Sequence, residues 1–349
     1  MKREETATYC VTGASGYIGS WLVETLLQRG YTVHATLRDF EKSQHFLSKW
    51  TDNERIRLFR ADLQEDGSFD EAVKGCDGVF HVAASMEFAF APNQNIESYV
   101  QSKIIDPAIR GVQNVLGSCL VSKSVKRVVF TSSVSTLTAK DEIDGQWIST
   151  VDETCKTTID HVNRTRASGW VYVLSKLISE EEAFKYAKKK GMDLVSVITT
   201  TVSGPFLTPC VPSSIQVMLS PITGDPKFFS ILSAVKNRMG SIALVHIEDI
   251  CNAHLFLMQH QKARGQYICC VGSCVMSQLI HHLSKGYPNF SKIQMVDEEG
   301  EKEEPTIPLI SSKKLIDLGF EYKFGVEEII HQTVHACMKH GFLPQTKSI

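Results

Sequence analysis

Tyr172 and Lys176 stand four residues apart in Tyr172-Val173-Leu174-Ser175-Lys176. On a helix, positions i and i+4 share a face, so both side chains can enter one cleft. A free phenol titrates near ~10 and does little acid–base work at neutral pH. A cation held beside it favours the phenolate and lowers that value, and a lysine can do this while bonding a ribose. A serine adds the third part. Thr131-Ser132-Ser133 ends the apolar run Val128-Val129-Phe130, and Ser133 lies 39 residues before the tyrosine. A strand-end hydroxyl can hold a substrate oxygen. Alone, each feature has an ordinary explanation, a surface helix pair or a capping serine. Together they point to proton donation onto a polarised oxygen.

Gly13-Ala14-Ser15-Gly16-Tyr17-Ile18-Gly19 is a GxxGxxG turn. It follows the strand-like run Tyr9–Thr12 and precedes Trp21–Gln28, which has helical spacing. Glycines there let the backbone turn tightly and approach a pyrophosphate, which then meets free N–H groups at a helix N-terminus. The next strand ends Thr36-Leu37-Arg38, with Lys42 four residues on. The planar fork of Arg38 suits a 2′-phosphate and favours NADPH; Asp39 would suit the ribose hydroxyls of NAD. Successive strand residues alternate in direction, so only one of the pair faces the ribose, and we take it to be Arg38. Asp62, after a third strand, is placed to meet the adenine amine.

The elements that must position these groups alternate. Tyr9–Thr12, Tyr31–Leu37, Ile56–Arg60, Gly78–Ala83, Arg127–Thr131 and Asp193–Thr199 read as strands separated by helix-length segments, the pattern of βαβ units and a parallel sheet. Trp21, Leu22, Leu26 and Leu27 share a helix face closed by Gly30. Asp106-Pro107 reads as an N-cap and first helical residue, followed by Ile109, Val112, Leu116 and Leu120 at helical spacing. Trp170 to Lys190 is a further helix closed by Gly191. After Thr199 turns are denser, and most prolines lie between Pro205 and Pro308. The expected architecture is an α/β doubly wound parallel sheet over 6–199 and a smaller C-terminal substrate-binding lobe over 200–345. Residues 240–262 return to the first domain, where Val245–Asp249 passes from strand to helix.

The 349 residues suffice for two domains of ~150 residues each. Lys plus Arg is 37 and Asp plus Glu is 39, a net charge of −2 that argues against nucleic acid. No apolar run approaches the ~20 residues of a membrane span. Lys2 and Arg3 are followed by Glu4 and Glu5 and no apolar segment, so a cytosolic location with reduced thiols is expected. The sequons at Asn163 and Asn289 then read as chance, and 297–304 as a solvated charged loop. Cys269, Cys270 and Cys274 lack a second CxxC or a histidine pair and read as buried strand cysteines. His331, His335 and Cys337 lack the HExxH glutamate and fit a terminal amphipathic helix. His246 reads as a structural histidine. Met86, Phe88 and Phe90 fit an aromatic pocket or the core equally.

With these residues in view, the chain resembles the extended short-chain dehydrogenases/reductases, and within them the plant dihydroflavonol and anthocyanidin reductases. The resemblance rests on VTGASGYIGSWLV, TLRD, RADL, GCDGVFHVA, SVKRVVFTSS and YVLSK, and later on VPSSI, HIEDIC, GQYICC and ISSKKL, from residue 10 to about residue 330. VPSSI, Ile222-Thr223-Gly224 and GQYICC look closer to anthocyanidin reductases. The resemblance implies that Gly13, Gly16 and Gly19, with Tyr17 and Ile18, carry the pyrophosphate. Arg38 and Lys42 take the 2′-phosphate, Asp62 and Leu63 meet the adenine, and Val82, Ala83 and Ala84 line the cofactor. Ser133 is the catalytic serine, Tyr172 the acid and Lys176 its helper. Pro205, Phe206 and Leu207 follow Gly204 in a segment that closes on the nicotinamide.

Two positions depart from the family. Ala83-Ala84-Ser85-Met86 stands where Ala-Thr-Pro is usual, and Thr138 where dihydroflavonol reductases carry an asparagine that grips the flavonoid. Phe88–Ser102, at the cleft mouth, is longer. The implied activity is NADPH-dependent hydride transfer to a carbonyl, or to a flavylium ring, of a flavonoid or other phenolic substrate. A non-flavonoid ketone or aldehyde, an NAD-dependent nucleotide-sugar epimerase or dehydratase, and a non-catalytic NADPH-binding regulator stay open. Monomer and dimer are not distinguished.

Overall fold

The computed structural model describes residues 6–50, 53–84, 95–142, 144–287 and 307–344. Ser85, Met86, Phe88, Phe90, the sequon at Asn289 and the charge run 297–304 lie outside them. In chain order the elements are β1 (Thr8–Thr12), α1 (Tyr17–Gln28), β2 (Thr32–Leu37), α2 (Gln44–Trp50), β3 (Ile56–Arg60), α3 (Asp70–Val73) and β4 (Gly78–His81). There follow α4 (Ile96–Val100), α5 (Asp106–Ser122), β5 (Arg127–Ser133), β6 (Thr150–Val151), α6 (Ile159–Thr165), α7 (Trp170–Lys190), β7 (Leu194–Thr199) and β8 (Thr201–Ser203). The rest is α8 (Ser213–Thr223), α9 (Pro226–Met239), β9 (Ile242–His246), α10 (Ile247–Gln259), β10 (Gly265–Cys269), β11 (Gly272–Cys274), α11 (Met276–Gly286), β12 (Leu309–Ile310), α12 (Lys313–Asp317) and α13 (Val326–Lys339).

Seven strands form one parallel sheet in the order β10-β7-β5-β4-β1-β2-β3. The chain starts in the middle, winds outward through β2 and β3, then returns past β1 and winds the other way. Successive strand residues alternate between two apolar layers, as a sheet covered on both faces requires. Val11 and Val129 pack with Leu22 and Leu26 of α1 and Ile250 and Leu255 of α10. Their neighbours Cys10, Val128 and Phe130 pack on the other face with Val112 and Leu116 of α5 and Ala183 of α7. The chain leaves the sheet directly after β7. A third core gathers Ile215 and Met218 of α8, Leu232 of α9, Leu279 of α11 and Ile330 of α13. The strands β8 and β9 run parallel beside it, with β11 antiparallel to β9.

Three expectations change. The return to the first half runs past 262, because β10 pairs with β7 in parallel and extends the sheet. Asp106 is not an N-cap: α5 starts at Asp106 but continues a π-helical turn, Gln101–Ile105, so the chain is helical from Ile96 onward. Proline lacks the N–H that would bond one turn back, and a widened turn accommodates both the missing donor and the ring. Leu120 faces solvent, and Cys119 takes its place in the core. The other boundaries follow their signals. Gly191 closes α7 at φ 66° and Gly30 follows α1 at φ 88°, both left-handed positions that glycine fills without strain.

Candidate active site

The glycine turn is closed by its own backbone, with Gly16 N donating to Gly13 O at 3.0 Å. Gly13 has φ +66°, and a Cβ there would meet the Ala83 backbone at 3.0 Å. A Cβ on Gly19 would fall 2.2 Å from Gly13 O, so only glycine lets α1 start this close to β1. Gly16 caps α1 without a side-chain bond, and no acid stands in the first turn. The N–H groups of Tyr17 and Ile18 therefore begin a helix whose positive end is uncompensated, the arrangement that receives a pyrophosphate. Thr12, just before the turn, was not anticipated. Its hydroxyl accepts from Val82 N at 3.1 Å and Ala83 N at 3.0 Å, leaving its proton for His81 Nδ1 at 3.2 Å. The segment Val82-Ala83-Ala84 is thus held against the glycine turn.

At the end of β2, Arg38 is exposed. Asp39 is committed elsewhere: its carboxylate accepts from Lys42 N at 3.1 Å, which holds it below the usual carboxylate range. Lys42 Nζ lies 3.7 Å from the same carboxylate and is otherwise in solvent. The carboxylate of Asp62, beyond β3, accepts from Gln64 N at 2.8 Å. Leu63, Ala83 and Ala84 line one narrow cavity with His81, Phe130 and Lys176.

Ser133 is the last residue of β5, opposite Thr199 of β7. Its hydroxyl accepts from Ser135 N at 3.2 Å and acts on the Tyr172 phenol of α7, opposing the rise that burial causes. Ser132 points away, with its buried oxygen unpartnered among the described residues. Lys176, one turn beyond Tyr172, is buried, and its Nζ donates to Thr131 O at 3.1 Å. Burial pushes the ammonium down to about 8, against the opposing pull of the Glu180 carboxylate. Glu180, buried one turn further along α7, accepts from Ser196 Oγ at 2.7 Å. A carboxylate four residues after Lys176 was a legible signal for it.

Burial raises the Tyr172 phenol, against the opposing pull of Ser133 and of the Arg238 guanidinium of α9. The Thr131 hydroxyl bonds His254 Nε2 at 2.8 Å, and His254 Nδ1 donates to Ile250 O at 2.7 Å, a network that ties this strand end to α10. Burial holds His254 down to about 4, so it is neutral and its Nε2 accepts.

From the second lobe, Gly204 O accepts from Tyr17 Oη at 3.3 Å and joins the glycine turn to the segment Gly204–Leu207. Phe206 turns into the second-lobe core and stacks on His340 at 4.5 Å, Leu207 packs on the first core, and Pro205 is half-buried between them. Thr138 is buried, and its hydroxyl bonds the backbone of Lys140 at both N and O. His246 is structural: Nδ1 accepts from Glu248 N at 3.2 Å, Nε2 meets Gln332, and the ring stacks on Phe324 at 3.7 Å. His331 and His335 face solvent from α13 while Cys337 is buried, so the three do not converge. Among the described residues no three His, Cys, Asp or Glu side chains are grouped to hold a metal.

The model of the NAD dependent epimerase/dehydratase family matches residues 9–270. A provisionally named anthocyanidin reductase of Ginkgo biloba is 43% identical over 97% of this chain and 96% of its own. A dihydroflavonol 4-reductase of Arabidopsis thaliana is 38% identical over 98% of this chain and 85% of its own. Vestitone reductase from alfalfa superposes with TM-score 0.78 at 28% identity, over 97% of this chain and 100% of its own. The seven-stranded sheet, the glycine turn at its centre and these full-length matches make this chain a member of the NAD dependent epimerase/dehydratase family, in the group that holds the anthocyanidin and dihydroflavonol reductases.

Proposed function

We propose that the protein is an NADPH-dependent reductase that transfers hydride to a carbonyl, or to a flavylium ring, of a flavonoid or related phenolic compound. The observation that carries this reading is the convergence at the carboxyl edge of the sheet of Ser133, the last residue of β5, and Tyr172 of α7, whose phenol Ser133 lowers, one helical turn from Lys176. Ligands of open α/β sheets bind at that edge. The substrate class comes from the names of the relatives.

The residues fit a dinucleotide: the cradle under Gly13 and Gly19 is one that a Cβ would fill. Bound NADPH supplies the hydride. Gly13, Gly16 and the N–H groups of Tyr17, Ile18 and Gly19 hold the pyrophosphate, and Arg38 with Lys42 takes the 2′-phosphate. Asp62 and Leu63 receive the adenine. Val82, Ala83 and Ala84 line the cofactor, and Pro205, Phe206 and Leu207 close over the nicotinamide, Phe206 through its backbone. Ser133 holds the substrate oxygen, Tyr172 donates its proton to that oxygen as negative charge develops, and Lys176 positions the ribose. On a flavylium ring hydride cancels a positive charge, and Ser133 and Tyr172 then serve chiefly to orient. Ten unpaired cysteines suit the reducing cytosol.

The test is NADPH oxidation by the pure protein against a dihydroflavonol, an anthocyanidin and simple aromatic ketones and aldehydes, with NADH as control. We expect turnover of a flavonoid with NADPH preferred. Tyr172→Phe should lower kcat on a ketone by ~10²–10⁴-fold while NADPH still binds. Turnover undiminished in Tyr172→Phe, or absent on every compound, overturns the reading.

A further inference from the structure

We propose that the Tyr17 side chain is a positioning residue for the cofactor: through Gly204 it couples the glycine turn under the pyrophosphate to the segment that closes on the nicotinamide. The proposal deepens the reductase reading and rests on it for where the nicotinamide lies.

Tyr17 is the first residue of α1, so its backbone belongs to the glycine turn. Its side chain has a separate role. The ring packs against the core of the first half and against that of the second lobe, and so occupies the seam between them. The hydroxyl crosses the seam and donates to Gly204 O at 3.3 Å, a contact between residues 187 apart in sequence. Burial pushes the phenol well above its ordinary value, so it stays a neutral donor.

Gly204 is hemmed in by a second group. It has φ +127°, and a Cβ there would meet His246 Nε2 at 2.8 Å. The imidazole cannot retreat. Its Nδ1 accepts from Glu248 N at 3.2 Å, its Nε2 donates to Gln332 Oε1 at 3.2 Å, and the ring lies on Phe324. Phe324 is fixed in turn, since its N–H and that of Lys323 donate to the buried Asp249 carboxylate. A glycine at positive φ has many conformations open to it. Here the imidazole limits where its Cα can move, and the phenol holds its carbonyl.

The two ends of this link serve different parts of a dinucleotide. The Tyr17 N–H serves the pyrophosphate, while Gly204 leads into Pro205, Phe206 and Leu207 at the nicotinamide. The Tyr17 hydroxyl is spent on Gly204 O, so it contributes through order. With the bond in place, the Gly204 segment is set before the cofactor arrives. Without it, part of the binding free energy goes into ordering that segment. The loss falls on the nicotinamide end, because removing one hydroxyl leaves the glycines and N–H groups of the turn as they are.

The experiment compares two ligands by calorimetry and needs no turnover. They are NADPH and 2′-phospho-ADP-ribose, which has the same phosphates and adenine but no nicotinamide. Tyr17→Phe deletes the hydroxyl and keeps the ring in the seam. Its Kd for NADPH should rise about three- to tenfold, the range of one net hydrogen bond. Its Kd for 2′-phospho-ADP-ribose should stay at the wild-type value, which also reports that the variant is folded. Equal weakening of both ligands, as a hydroxyl with a merely structural role would give, or no change in either, overturns the proposal and leaves the reductase reading standing. A wild-type protein that does not bind NADPH overturns both.

Discussion

At the residue scale the centre contains a buried cation, Lys176. Its Nζ donates to the Thr131 carbonyl at 3.1 Å. The linkage for Lys176 follows from its lowered value of about 8. Unfolded lysine titrates near ~10.4, so between about 8 and ~10.4 the unfolded chain binds more protons and stability rises with pH. Below about 8 both states are charged and the burial cost is fully present. Lys176→Met removes this term. Denaturant melts at pH 7 and pH 10.5 should show the wild type gaining roughly 2–3 kcal/mol relative to the variant over that interval. Equal shifts in both proteins would contradict it. Arg38 belongs to this scale too. Arg38→Ser should raise the Kd for NADPH by ~10–100-fold, since charge-assisted phosphate bonds are lost. Affinity for NADH, which lacks the 2′-phosphate, should barely move in the same fluorescence titration.

At the element scale, the close start of α1 against β1 makes the cofactor cradle. The space between Gly19 and Gly13 O is too small for any Cβ. Gly19→Ala should therefore push α1 away from β1. We expect the Kd for NADPH to rise at least tenfold in titration, with a lowered Tm, because a backbone atom at 2.2 Å cannot rotate aside. Gly16→Ala offers a contrast, since its Cβ would meet Gly13 O at 3.3 Å, and a milder loss is expected. Helix α7 is the second organising element. Its 21 residues carry Tyr172, Lys176 and Glu180 on one face toward β5 and β7, so a single rigid segment sets the spacing of the centre.

At the scale of the whole molecule, Arg127 joins the sheet to the returning helix. From the start of β5 its guanidinium pairs with Asp193 at 2.8 Å and donates to the carbonyls of Leu257 and His260 at 2.7 Å each. It is buried, and Arg127→Met would strand those acceptors. The expected loss is about 3–5 kcal/mol in chemical denaturation, with kcat near the wild-type value where the variant remains folded. The site lies at the opposite, carboxyl end of the same strand, which is why stability and turnover should separate. The two lobes meet where Tyr17 bonds Gly204 O and where Arg238 docks on Ala139.

The sequence by itself determined the parallel sheet, the glycine turn and the grouping of Ser133, Tyr172 and Lys176, because each rests on short-range rules. Period-2 apolar runs make strands, glycines permit turns, and residues four apart on a helix share a face. Trp170–Lys190 with Gly191 was readable to the residue for the same reason. The turn of Asp39 onto Lys42 N, three residues away, is also a local matter. Only the tertiary structure decided that Thr138 turns to Lys140, that Thr12 pins the Val82–Ala84 segment and that β10 rejoins the sheet. Thr12 and Ala83 are 71 residues apart in sequence. Contacts of that separation are fixed by how whole layers pack, and no local spacing encodes them.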